Sequence, residues 1–191
     1  MAGAGIFGSS ASGAVGSVGA CAGYSYVPPE GNPTERPQAL AIGPYSCAAN
    51  CSIAMGICTV TTCDQAVAIG SCSHGGQYAV AVGFQSEAAY SGGISVGYGS
   101  TTESGISVGA CSTSESNGIS VGYCSTAEGG VSVGYCSTAK GGISVGHGST
   151  VEGQHGITIG NNLTGDLNSI CIGDGSISCV QIGCYKFHEL F

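Results

Sequence analysis

The stretch that decides the fold runs from Gly93 to Gly146. It reads GISVGYGSTTES (93–104), GISVGACSTSESN (105–117), GISVGYCSTAEG (118–129), GVSVGYCSTAKG (130–141) and GISVG (142–146). The apolar pentapeptide hardly varies, and the polar link after it keeps Ser-Thr at its centre. A unit this short cannot bury its own apolar face. It is one rung of a stack, and neighbouring rungs complete it.

Followed outward, the unit extends in both directions as aliphatic–small–aliphatic–Gly. Its closing glycines run from Gly43 to Gly183, 10 to 14 residues apart. The flanking pairs begin with Leu40/Ile42, Ile53/Met55, Val67/Ile69 and Val80/Val82 and end with Ile170/Ile172 and Val180/Ile182. Spacing of i and i+2 puts both members of a pair on one face of a strand and the residue between them on the other. The glycine suits a turn that needs positive φ or a close backbone approach. A serine usually follows three residues later, and a charge six residues later: Glu103, Glu115, Glu128, Lys140 and Glu152 form that outer column. Two residues after the glycine, Cys58, Cys72, Cys111, Cys124 and Cys136 share a slot with Gly99, Gly148 and Gly175. That alternation reads as a tight, turn-like position.

The expected fold is all-β, a parallel β-roll of about twelve coils of 12–14 residues over 38–186. At roughly 4.8 Å per coil the rod would be on the order of 58 Å long. Residues 1–37, rich in Gly and Ala and then in Pro, read as an N-terminal arm or linker, and 187–191 as a C-terminal tail. Two aliphatics per coil make a meagre core. Small cores need staples or partners, so several chains are expected to pack side by side.

Composition agrees and excludes some classes. The chain has 36 glycines, no tryptophan and 7% charged residues, against about 25% charged in an average domain. It has three basic residues and a net charge of −8, so nucleic acid is not an expected partner. No run approaches 18 apolar residues, so membrane insertion is not expected. The segment MAGAGIFGSSASGAVGSVGA (1–20) lacks a cationic start and does not read as a secretory signal peptide.

The units AVAIGSCS (66–73), YAVAVGFQS (78–86) and SGGISVGYGST (91–101) resemble the head repeat of the YadA-like trimeric autotransporter adhesins, over roughly 38–183. The resemblance implies a left-handed β-roll in a tight homotrimer, presented at the tip of a surface fibre. Ser in place of Ala within the strand and the cysteine column depart from that family's pattern. The sequence also has no heptad stalk and no C-terminal barrel pattern. Similar repeats are expected in tail fibres and capsid appendages of phages and large DNA viruses. The expected protein is therefore non-enzymatic, a structural and attachment element on a virion surface. Its partners would be two further copies of itself, other virion or cell-surface proteins reached through the arm, and a host receptor or glycan. A bacterial adhesin head binding host matrix, extracellular on the cell surface, is the alternative. An ice-binding β-solenoid is a third reading. It needs two outward threonines per strand, whereas the adjacent Ser100-Thr101, Ser112-Thr113 and Ser125-Thr126 pairs would turn only one column outward.

Catalytic and metal patterns are weak. Ser95, Ser107, Ser120, Ser132 and Ser144 each fit G-x-S-x-G, but a hydrolase needs one such elbow with a His and an acid, and five in register make a ladder. GAGIFG (3–8) lacks the strand and helix that a dinucleotide site requires. Cys47/Cys51, Cys58/Cys63 and Cys179/Cys184 are close pairs without a matching second pair, and His74, His147, His155 and His188 are scattered. No metal and no cofactor is expected. The thiols read as buried packing groups, reduced in the column. Any disulfide is placed at Cys171, Cys179 and Cys184 or among Cys47, Cys51, Cys58 and Cys63. Tyr98, Tyr123, Tyr135 and His147 follow the glycines and offer a candidate surface binding stripe, with packing between coils as the plainer role. Asn50-Cys-Ser and Asn162-Leu-Thr are glycosylation sequons.

Overall fold

The computed structural model describes residues 39–49 and 51–175, together with the backbone pairing of 15–16, 21–22 and 180–181. It is a parallel β-solenoid of about ten turns, with no helix among the described residues. Each turn contributes one strand to each of two sheets. The first sheet stacks eleven strands from Leu40–Ile42 to Ser169–Asp174, and the second runs from Cys47–Ala48 to Thr164–Gly165. Neighbours pair in parallel and in sequence register: Ile106, Ile119 and Val131 succeed one another, as do Ser107, Ser120 and Ser132.

Two short stretches within 1–37 join the stack. Val15–Gly16 pairs with Leu40 and Ala41, and Cys21–Ala22 pairs with Cys47 and Ala48. The rest of that arm, the tail 187–191, GAGIFG, Asn50 and His188 lie outside the described residues. At the other end, Val180–Gln181 runs antiparallel to Ser169 and Ile170. The Val180 unit therefore does not continue the parallel stack, contrary to the sequence reading.

The closing glycines meet both demands read from the sequence. Gly122 has φ 134°, and a Cβ there would overlap the carbonyl oxygen of Gly134 one rung on. Left-handed backbone and close approach coincide at one atom, and only glycine serves both.

The interior reverses one expectation. The small residue of each first-sheet strand points inward: Ala41, Ala54, Ala68, Ala81, Ser95, Ser107, Ser120, Ser132 and Ser144 are all fully buried. The aliphatic pairs face outward, with Ile42, Ile69, Ile94, Ile119 and Ile143 each 37–40% exposed. The reason is width. Two sheets joined by tight turns leave an interior that holds Gly118, Ser120, Ser125 and Ala127 in one coil, and a larger inward side chain such as Val151 is accommodated where Gly142 and Gly156 make room for it. The two aliphatics of a pair do share one face of the strand, but that face is the outer one.

Candidate functional site

Ser95, Ser107, Ser120 and Ser132 lie 2.7–2.8 Å from the hydroxyls of Ser100, Ser112, Ser125 and Ser137. Ser144 donates to the Ser149 carbonyl at 2.9 Å. The second serine of a pair also reaches back to its turn, as Ser112 does to the Gly109 carbonyl at 3.3 Å. The buried hydroxyls thus satisfy one another, as buried polar groups must. The five G-x-S-x-G serines form an in-register ladder inside the roll, each sealed from solvent. Among the described residues Thr102 Oγ1 is the exception, a buried side-chain oxygen with no partner.

The outer surface carries five kinds of column. On the first sheet the aliphatic pairs form two adjacent apolar rows. At about 4.8 Å per rung they run roughly 48 Å along eleven strands. Beside the first row a groove of about 380 Å³ opens where Gly129, Gly130, Gly141 and Gly142 carry no side chains, against Ile119 and Val131. On the second sheet Thr101, Thr113, Thr126, Thr138 and Thr150 point outward while their neighbours Ser100, Ser112, Ser125, Ser137 and Ser149 are buried. The next outward column is the charge column Glu103, Glu115, Glu128, Lys140 and Glu152, all exposed. Lys140 pairs there with Glu152 of the next rung at 3.3 Å.

At the turn after the closing glycine stands the aromatic column, and it is two stacks rather than one stripe. Tyr123, Tyr135 and His147 stack at 5.2 and 4.9 Å with planes 9° and 4° apart. Tyr98 stacks instead on Phe84 at 5.3 Å. Ala110 occupies the intervening rung. Within these stacks only Tyr135 has a ring on both faces, and Phe84, Tyr98, Tyr123 and Tyr135 all remain exposed. The Tyr123 hydroxyl is held above its usual value of 10.0, first by Cys124 through charge and hydrogen bonding, then by Cys111 and Tyr135.

The cysteine slot differs from the sequence reading. Cys58, Cys72, Cys111 and Cys136 are exposed free thiols and Cys124 is partly exposed, so they are not buried packing groups. The slot alternates with glycine because it is left-handed. Cys58, Cys72, Cys111, Cys124 and Cys136 have φ of 51–58°, as do Gly99 and Gly148 at 57° and 62°. That backbone costs an L-residue about 1–2 kcal/mol. The repeated φ near 55° is not visible from a Cys/Gly alternation, which a tight slot would produce equally well. Cys171, buried in the last parallel strand, is disulfide-bonded, as the sequence allowed; Cys179 and Cys184 lie outside the described residues. Among the described residues no group of three or more His, Cys, Asp or Glu converges on a metal position. No family model matches the chain, and no curated protein matches it.

Proposed function

We propose that the chain is a non-enzymatic structural and attachment protein, a YadA-like head that works as a homotrimer on a virion or phage fibre or capsid appendage. The observation that carries this reading is the outward position of the paired aliphatic columns. Two apolar rows roughly 48 Å long exceed what a monomer usually leaves in water. A second and third copy of the same face is the natural cover, because the rows repeat rung by rung and carry no charge. The groove beside the first row adds to the same face. The surface opposite remains hydroxylated and charged, which suits the solvated outside of such a head. An ice-binding role is disfavoured, since a charged column flanks the single threonine column.

Sedimentation velocity on the full chain tests the proposal. About three chains per particle is the expected result. A stable, soluble monomer that leaves this face in water overturns it.

A further inference from the structure

Cys111, Cys124 and Cys136 stand on three successive rungs, and Cys58 and Cys72 on two. Backbone bonds lock the column: the amides of Cys111, Cys124 and Cys136 donate to Tyr98, Ala110 and Tyr123 at 2.8–2.9 Å, and that of Cys72 to Ile57 at 2.8 Å. With φ of 54°, 52° and 51°, the three Cα–Cβ bonds are close to parallel. Gly99, Gly148, Gly175 and Asn162 fill the same slot with residue types that tolerate left-handed backbone better, and Tyr45 and Gln85 fill it singly at φ 58° and 54°. Four of the five column thiols are exposed and Cys124 is partly so, so the column does not serve a packed core. What sets these rungs apart is that strained positions on adjacent rungs all carry a thiol, which points to use.

We propose that this column is a binding site for soft monovalent cations of the Cu(I) and Ag(I) class, each held linearly between thiolates of neighbouring rungs. Thiolate is the ligand that selects such ions. The rung repeat of about 4.8 Å is close to twice the roughly 2.3 Å at which zinc sits from a thiolate sulfur, the scale of a metal–thiolate bond. A cation midway between two parallel sulfurs is therefore at bonding distance from both. Cys111 Sγ lies 3.9 Å from where a Cβ would stand at Gly99, which shows the thiol within reach of the neighbouring rung's side-chain position. A disulfide fits less well, because it draws the Cβ atoms to about 3.8 Å where the ladder holds the rungs about 4.8 Å apart. Four-coordinate zinc is not served either, since no third ligand converges among the described residues.

Binding is an exchange of protons without redox change. Two thiols and one M⁺ give a linear RS–M–SR unit of charge −1 and release two protons. In the triple column a second cation shares Cys124 and releases one proton more.

The test counts Ag(I) per chain by native mass spectrometry on the reduced full-length chain, titrated with the metal alone under an oxygen-free atmosphere. Glycine already fills this slot at Gly99 and Gly148, so Cys124→Gly, Cys136→Gly and Cys72→Gly are the variants. Relative to wild type, Cys124→Gly loses about two Ag(I), and Cys136→Gly and Cys72→Gly lose about one each. Equal losses in Cys124→Gly and Cys136→Gly, or no loss in either, overturn the proposal. If circular dichroism shows Cys124→Gly misfolded, Cys124→Asn, the residue type at position 162, replaces it under the same criterion. The count is per chain, so it reads the same whatever the sedimentation experiment returns.

Discussion

The hydroxyl of Ser120 lies 2.8 Å from that of Ser125, five residues on and across the interior, and both side chains are fully sealed from solvent. The pair joins the two sheets of one coil. It also sets a limit on what that coil can enclose.

Ser120→Ala is expected to be mild. Ala68 already faces Ser73 in an earlier coil, where the serine bonds to its own turn carbonyl, Gly70, at 3.0 Å. Thermal or urea unfolding should show a loss of about 1 kcal/mol or less. Ser120→Val, by contrast, adds branches between Ser107 and Ser132 and should cost about 1–3 kcal/mol. Equal effects from the two changes would mean that interior width does not select the residue.

Thr102→Val should stabilise the chain. Thr102 Oγ1 is buried without a partner, and Val151 occupies the matching inward slot of a later coil, fully buried. Removing an unsatisfied oxygen while keeping the shape is expected to add about 1 kcal/mol or more to the unfolding free energy. A loss of stability would show that the hydroxyl has a partner.

Glycine is required for two separable reasons, and two alanine substitutions separate them. At Gly122 a Cβ meets both a φ of 134° and the Gly134 carbonyl, so Gly122→Ala should cost about 3 kcal/mol or more. Gly92 has φ 79° but open space around it, so Gly92→Ala carries only the backbone term, about 1–2 kcal/mol. The order of the two melting temperatures checks this.

Ile119 lies outward in the first apolar row, 37% exposed. Ile119→Lys should leave the sheet signal in circular dichroism unchanged while shifting the sedimenting species from about three chains to one. Unfolding of the variant as a free monomer would place the side chain inside the roll.

Tyr123 titrates late because a thiolate beside a phenol opposes a second negative charge, and Cys124 is the largest cause. Its folded pKa is raised, so over the window above the usual 10.0 the folded chain holds a proton that the unfolded chain has released. Any stabilising contribution is therefore full below that value and is lost as pH rises through the folded pKa. The phenolate absorbance of Tyr123, taken as the difference from Tyr123→Phe, should emerge at higher pH than that of free tyrosine. Cys124→Gly should bring it down.

Much of this architecture was legible in the chain because a stack repeats its own register. Once Ile106, Ile119 and Val131 recur beside glycines at Gly109, Gly122 and Gly134, parallel pairing at those positions follows, and so does a serine ladder. Period-two alternation separates two faces of a strand, but by itself it does not say which one is enclosed. Only the closed two-sheet roll decides that. Its interior admits Gly118, Ser120, Ser125 and Ala127 and turns Ile119 and Val121 outward, because tight turns hold the sheets so close that a branched side chain enters only where glycines make room, as Gly142 and Gly156 do for Val151. The cysteine slot was undecided for a similar reason. Cys124 beside Gly99 and Gly148 fits a cramped site or a left-handed one equally well. The turn geometry, with φ 52° at Cys124, makes it left-handed and leaves the thiol partly open to solvent.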